Sequence, residues 1–485
     1  MASKDKPKKL IEDWKDIALS YIKENWYQDK TKTIALYNGV WYTWNGASYQ
    51  AISEDELYAN LGKWMYKYTW LITRNGKKKV YRVGSRFLHE LSIALKMLVC
   101  MPSSTVFPTW INTTRYTKYN PTHVTCFNNI LLDTDTMTTI PSTPKLFTLN
   151  SLPFNYDTKA TCPLWIKTIK EWSKKDGKID NEWISSLQEW FGYNLTPDIS
   201  QHKFMLLYGP PRSGKSTAIR ILQQLLGETN YCTPTLQNLG SNFGMETAHG
   251  KIAMLVSDAH AGRGVDRTGV MESIARIVGE DSVDINRKYK PILAGQKLKT
   301  KITITTNSLL YFPDPNGKMA SRLLVLPFMN SYLGKEDTKL TEKLSQELPG
   351  ICNWVLKGLQ RVYAEGFKFE QAKAGESLHN DFADNNAPFA SFVKHKCVYP
   401  DNSASGYISV NEFVEAFERF LEKQHIKPDN HVKPYQLKEA FLQTCPKVII
   451  VRKGKAGQQK YHYAYISLKS KNKKMKGMIE SLSSM

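Results

Sequence analysis

Cysteine is sparse in this chain, long apolar runs are missing, and acids are too few to balance the bases. The seven cysteines (Cys100, Cys126, Cys162, Cys232, Cys352, Cys397 and Cys445) are scattered, with no two at metal-ligand spacing. A zinc ribbon is not visible, and free thiols packed in cores are expected. No segment is apolar for long enough to cross a bilayer, and Met1 to Lys9 lack the apolar stretch of a signal peptide, so a cytoplasmic protein is expected. Repeats and low-complexity tracts are also missing, so boundaries must be read from changes of pattern. The 45 Asp and Glu face 66 Lys and Arg, a formal charge of +21. Such an excess favours a polyanionic partner, nucleic acid first, because each cation set against a phosphate releases condensed counterions. Charge kept for solubility alone would not explain basic clusters at particular places.

At 485 residues the length suggests about three domains. Apolar positions from Leu10 to Ile22 have helical spacing. Asn38-Gly39 and Asn45-Gly46 then separate aromatic and β-branched runs around Trp41 to Trp44 and Tyr49, a hairpin signal that Asn75-Gly76 repeats beside Lys77, Lys78 and Lys79. The third turn is basic, and both a DNA contact and a solvated hairpin tip remain open for it. Tryptophans 165, 172, 183 and 190 predict two helices packed by one face, mostly core. The expected architecture is a multidomain α/β protein: an α+β region over 1–200, a P-loop core over 201–375, a linker over 376–389, a winged helix over 390–468 and a basic tail over 469–485.

The apolar strand Phe204 to Tyr208 runs into Gly209-Pro210-Pro211-Arg212-Ser213-Gly214-Lys215-Ser216-Thr217, and a helix with an apolar face follows until Gly227. Glycines there let backbone N–H groups wrap the phosphates of a nucleoside triphosphate, Lys215 reaches the β and γ phosphates, and Ser216 ligates Mg²⁺. Such a site needs an acid on a neighbouring strand tip to hold the metal shell, and Ile252 to Val256 leads to Asp258. Another β-branched strand, Ile302 to Thr306, ends in Asn307, an amide suited to orienting water. Arg322, before the strand Leu323 to Leu326, could reach into the site of an adjacent subunit or stand as a solvated strand-edge charge, and both readings remain open.

This order of motifs resembles superfamily 3 helicases of the AAA+ class, and more narrowly the helicase half of phage, plasmid and poxvirus primase-helicases. Asn128 to Asp133, Leu152 to Asp157, Cys162 to Trp165 and Leu348 to Trp354 are similar to segments around the ATPase of that family. The overall likeness extends to Rep initiator-helicases of phage-inducible islands.

The resemblance implies an ATP- and Mg²⁺-dependent ring, a homo-hexamer, that unwinds DNA from 3′ to 5′ and initiates replication of a mobile element. It makes Lys215 and Ser216 nucleotide and metal contacts, Asp258 the second metal residue, Asn307 a sensor and Arg322 a finger acting in trans. Asp284 to Lys290 becomes the hairpin that grips single-stranded DNA in the pore through Arg287, Lys288, Tyr289 and Lys290. The winged helix would face duplex through Lys433 and Lys438 on its second helix and Arg452, Lys453, Lys455 and Lys460 on its wing, and both origin-specific binding and nonspecific DNA clamping remain open for it. Two departures matter. Ala259-His260 follows Asp258 where many relatives carry a glutamate, leaving the water-activating base open between Asp258, Glu272 and another carboxylate. Asp133-x-Asp135 falls where the family has a turn, so no polymerase site is expected. The alternative reading is an ATP-dependent origin-binding initiator or loader that does not unwind.

Overall fold

Asn38 and Gly39 both take positive φ, 49° and 75°, and join strands Ile34–Tyr37 and Val40–Trp44; Asn75 and Gly76, at 51° and 73°, join Thr69–Arg74 and Lys77–Val80. Two positive φ values in a two-residue loop give the turn whose twist matches its flanking strands. At Asn45 the side-chain oxygen instead accepts from the N–H groups of Ala47 and Ser48, at 2.9 and 3.0 Å, folding a side-chain-closed turn into strand Tyr49–Ile52. Helices Trp14–Asn25, Glu54–Met65 and Ser85–Val99 close over Trp70 to form the first core. This computed structural model describes residues 6–257, 259, 265–288, 290–310, 318–364, 366, 368–398, 406–423, 437–445, 447–453 and 460–469.

The central body is built on α1 (Pro163–Trp172), α2 (Asn181–Asn194), β1 (Phe204–Tyr208), α3 (Lys215–Leu226), β2 (Tyr231–Cys232), β3 (Ala253–Val256), α4 (Arg267–Val278), β4 (Lys301–Thr306), β5 (Leu323–Pro327), α5 (Leu348–Ala364) and α6 (Lys373–Asn386). The five strands form one parallel sheet in the order β2-β3-β4-β1-β5. Parallel strands joined by helical crossovers are covered on both faces, which is why β1, β3 and β5 read as nearly unbroken apolar runs. Met205 and Leu207 point into the layer of α1, α2, α3 and α5, while Phe204 and Leu206 point into that of α4.

The four tryptophans of α1 and α2 belong to the first of these layers, so the expected division at residue 200 runs through one core. Their indoles reach the sheet itself: Trp183 Nε1 donates to the Pro327 carbonyl at 2.6 Å and Trp190 Nε1 to Thr303 Oγ1 at 2.8 Å. Close helix contact explains Gly192, where a Cβ would stand 2.2 Å from the Val355 carbonyl oxygen. The free edge of β5 is closed by one side chain, since Gln371 accepts from the Val325 N–H at 2.8 Å and donates to its carbonyl at 2.7 Å. Most of the segment expected as a linker, 376–389, is helical: α6 lies on β5, and Pro388–Lys396 begins the next helix.

That last helix, strand Tyr407–Ser409, helices Val410–Lys423 and Leu437–Thr444, and strands Ile449–Lys453 and Lys460–Ala464 enclose a core of Phe389, Phe392, Phe413, Phe417, Phe441 and Tyr463. The three strands form an antiparallel sheet with Lys460–Ala464 in the middle. The expected turn from Gly454 to Gly457 lies outside the described residues, as does the tail after Lys469. Among the described residues no helix is long and apolar enough to cross a membrane. All seven cysteines are free, and every one but Cys100 is buried.

Candidate nucleotide and nucleic-acid sites

The expected phosphate loop leaves β1 and enters α3. Arg212 and Gly214 stand at φ 59° and 101°, conformations that turn successive backbone N–H groups inward. At Gly209 a Cβ would stand 2.0 Å from the Phe328 carbonyl oxygen, so only glycine lets β1 leave the sheet there. Lys215 is buried, and its ammonium donates to the carbonyls of Gly209 and Pro210 at 2.7 and 2.8 Å and to Ser213 Oγ at 3.2 Å. Those bonds hold it across the loop, at the mouth formed by the helix N-terminus.

A cavity of about 550 Å³ opens over this loop. Residues from Pro211 through Thr217 line it, and Asn307 joins them from the tip of β4. That placement follows from the sheet order, because Tyr208 pairs with Thr306 and the Gly209 N–H donates to the Thr306 carbonyl at 3.3 Å. A second wall comes from α1, through Leu164, Thr168 and Trp172, and from the stretch after β5, through Tyr332 and Leu340. None of these was expected in a site. Trp172 looked like another core ring on a helix face, and the stretch after β5 carries no motif. The Tyr332 N–H donates to the Arg212 carbonyl at 2.9 Å and Arg212 meets Glu336 at 3.5 Å, fastening that wall to the loop. Burial, with Glu171 adding to it, pushes the Tyr332 phenol up from its ordinary value.

Asp258 lies outside the described residues. Glu272 is exposed on α4 and is not in the cavity lining; among the described residues the carboxylates that line it are Glu171, Glu336 and Asp337. Arg322 precedes β5 at the other end of the sheet, where its Nη1 donates to the Ala275 carbonyl of α4 at 2.8 Å. Asp133 ends strand Ile130–Asp133 and Asp135 sits in the turn that follows: Thr136 Oγ1 donates to Asp133, and Asp135 pairs with His123 at 2.8 Å.

Between β3 and β4 the chain projects a hairpin, Val283–Arg287 against Lys290–Gln296, with irregular register. Lys288 is exposed at its tip, where Tyr289 lies outside the described residues and Lys290 opens the second strand. Arg287 Nε donates to the Pro291 carbonyl at 2.9 Å. Burial, with Arg287 adding to it, holds the His249 imidazole below its usual range. The second strand faces loop Ser103–Phe107 across a cavity of about 450 Å³, so the hairpin stands beside the N-terminal region.

In the C-terminal unit Arg452 lies 4.9 Å over the Tyr461 ring, and Lys453 is 2.9 Å from the centre of Tyr407. Lys453 and Lys460 are exposed and directly opposite each other, a like-charge pair that an anion would relieve. Lys438 lies on helix Leu437–Thr444; Lys433 and Lys455 fall outside the described residues.

These elements define a multidomain α/β protein with a parallel five-strand sheet consistent with a P-loop core. Residues 207–322, from the end of β1 to Arg322, match the protein family DUF5906, described as a family of unknown function. The chain is also similar to solved structures of the NrS-1 C-terminal region. One apo A form shares 11% identity over 93% of this chain and 98% of that one, with a TM-score of 0.44. Another, of residues 305–718, shares 12% identity over 94% and 100% of the two chains, with a TM-score of 0.45.

Proposed function

We propose that this chain is an ATP-dependent DNA helicase of the superfamily 3, AAA+ type that works as a homo-hexameric ring at a replication origin of a mobile element. The observation that carries the reading is the cavity shared by the phosphate loop, Lys215 and the Asn307 amide. The residues fit a nucleoside triphosphate: the loop turns donors inward, Lys215 is held at its mouth, and exposed Ser216 stands in the first turn of α3 where a metal-bound phosphate would lie. Ser216 and Asp258 would hold Mg²⁺, which would supply charge neutralisation at the β and γ phosphates. Asn307 orients the attacking water.

The position of Arg322 supports action on a neighbouring subunit. Leu323 pairs with Phe204, at the start of β1, whereas the loop leaves the end of β1, roughly 16 Å further along the sheet. The hairpin between β3 and β4 is the element that would grip one DNA strand, translocating 3′ to 5′. The C-terminal order of helix, strand, two helices and a basic two-stranded ribbon supports a winged helix that holds origin duplex.

Lys215→Ala tests the reading. It should abolish ATP hydrolysis and strand release from a forked substrate while leaving DNA binding largely intact. Unwinding retained by that variant would sink the assignment, and hydrolysis by the parent without strand release would mark an initiator or loader instead.

A further inference from the structure

We propose that the N-terminal region carries a second DNA contact, a phosphate-binding face for duplex made by the ribbon Thr69–Val80 and the start of helix Ser85–Val99. From Tyr68 to His89 there is no Asp or Glu, while Arg74, Lys77, Lys78, Lys79, Arg82 and Arg86 are all present and all exposed. None of the six forms an ion pair among the described residues. Arg74 stands directly opposite Lys77 in the antiparallel register, an arrangement that costs stability unless an anion sits between or beside the two charges.

Lysine on an edge strand is also a device against unwanted strand pairing. Lys77–Val80 is such an edge, next to the inner strand Thr69–Arg74. That purpose accounts for the three lysines but not for Arg74 on the inner strand, nor for Arg82 and Arg86 beyond the sheet. The helix start points the same way. Gly84 supplies no side-chain cap, the first turn holds no acid, and Arg86 occupies it, so both the helix dipole and the side chain there favour an incoming anion.

The partner is duplex rather than single strand because the face offers charge without stacking surface. Trp70 and Phe87 are buried, and Tyr81 is half-buried with its ring against Trp14 and Phe87. A strand of free bases is held by exposed aromatic rings interleaved with cations, and no Trp, Tyr or Phe of this stretch is exposed. Lys77 and Lys79 point to the same side about 6.6 Å apart, close to the axial rise of two phosphates along one strand of a duplex, about 3.4 Å each.

The test uses the full chain carrying Lys77→Gln, Lys78→Gln and Lys79→Gln together, with a second variant carrying Arg82→Gln and Arg86→Gln. Binding to a blunt duplex of arbitrary sequence and to a single strand is measured by fluorescence anisotropy between 50 and 200 mM salt. The triple variant should lower the slope of log affinity against log salt on duplex by up to about 2.7 units, and weaken duplex binding at least tenfold at the lowest salt. The double variant should lower that slope by up to about 1.8. Single-strand binding should stay as in the parent. Should the triple variant misfold, the double variant carries the test. Unchanged slopes on duplex, or losses equal on both substrates, would overturn the proposal.

Discussion

Trp172 lies against Gly214, so closely that a Cβ on the glycine would stand 2.6 Å from the indole. A helix that precedes the sheet by some 30 residues thus forms one wall of the phosphate loop. Gly214→Ala should meet two penalties: overlap with that ring, and a φ of 101° that costs a side chain on the order of 1–3 kcal/mol. We expect at least a tenfold loss of ATP affinity by calorimetry. Adding Trp172→Ala removes the overlap but not the backbone strain, so the double variant should recover only part of the loss. Complete recovery would show that the backbone conformation contributes nothing.

The same helix is held from its other end. Cys162 offers α1 no capping side chain, and Glu347 supplies one from the chain before α5, accepting from the N–H groups of Leu164 and Trp165 at 3.0 and 2.9 Å. Glu347→Ala should cost about 1–2 kcal/mol of stability and, because Thr168 and Trp172 are on that helix, weaken ATP binding as well. Glu347→Gln keeps an acceptor and should lose less of both. Denaturant titration with nucleotide binding checks the pair, and an affinity unmoved by Glu347→Ala would uncouple the cap from the pocket.

Local chemistry was legible in the sequence; assembly over distance was not. The Asn-Gly turns, the strand feeding the phosphate loop and the helix after it each depend on neighbours within a few residues, and each is found where the pattern puts it. The second wall of the cavity is different. Leu164, Trp172, Tyr332 and Leu340 meet only because β1 lies in mid-sheet between β4 and β5, and no local pattern encodes that order. Gln371 has the same history: a lone glutamine in a polar stretch closes a strand edge 46 residues away.

Lys301 opens β4 wholly buried, bonded through its ammonium to the Thr196 carbonyl and 5.4 Å from the centre of the Tyr193 ring. Burial, opposed by Asp198 and reinforced by Lys299, brings its pKa down to about 7. In the unfolded chain a lysine titrates near 10.4. Between those values the unfolded chain binds more protons than the folded one, so stability rises with pH from about 7 to about 10, and below 7 the folded chain bears a buried charge. Lys301→Met should remove this dependence. Its stability relative to the parent should be higher at pH 6.5 than at pH 9.5 by on the order of a few kcal/mol. Urea midpoints at the two pH values decide it, and a difference that does not change with pH would mean that the lysine titrates normally.

Arg322 has two possible duties, and they separate experimentally. Within one chain its guanidinium closes the end of α4, sharing the Ala275 carbonyl with the Gly279 N–H, which donates to it at 2.8 Å. As a finger it would act only across a subunit boundary, beside a phosphate loop it does not share. Arg322→Ala should therefore cost about 1 kcal/mol of stability through the lost hydrogen bond, yet reduce ATP hydrolysis by on the order of a thousandfold if the guanidinium neutralises the transferred phosphoryl group. Mixing Arg322→Ala chains with Lys215→Ala chains forms interfaces in which one chain supplies an intact loop and the other an intact arginine. Hydrolysis should reappear in such mixtures and peak near equal proportions. Mixtures that stay inactive at every ratio, while each variant alone keeps its fold, would confine Arg322 to the end of α4.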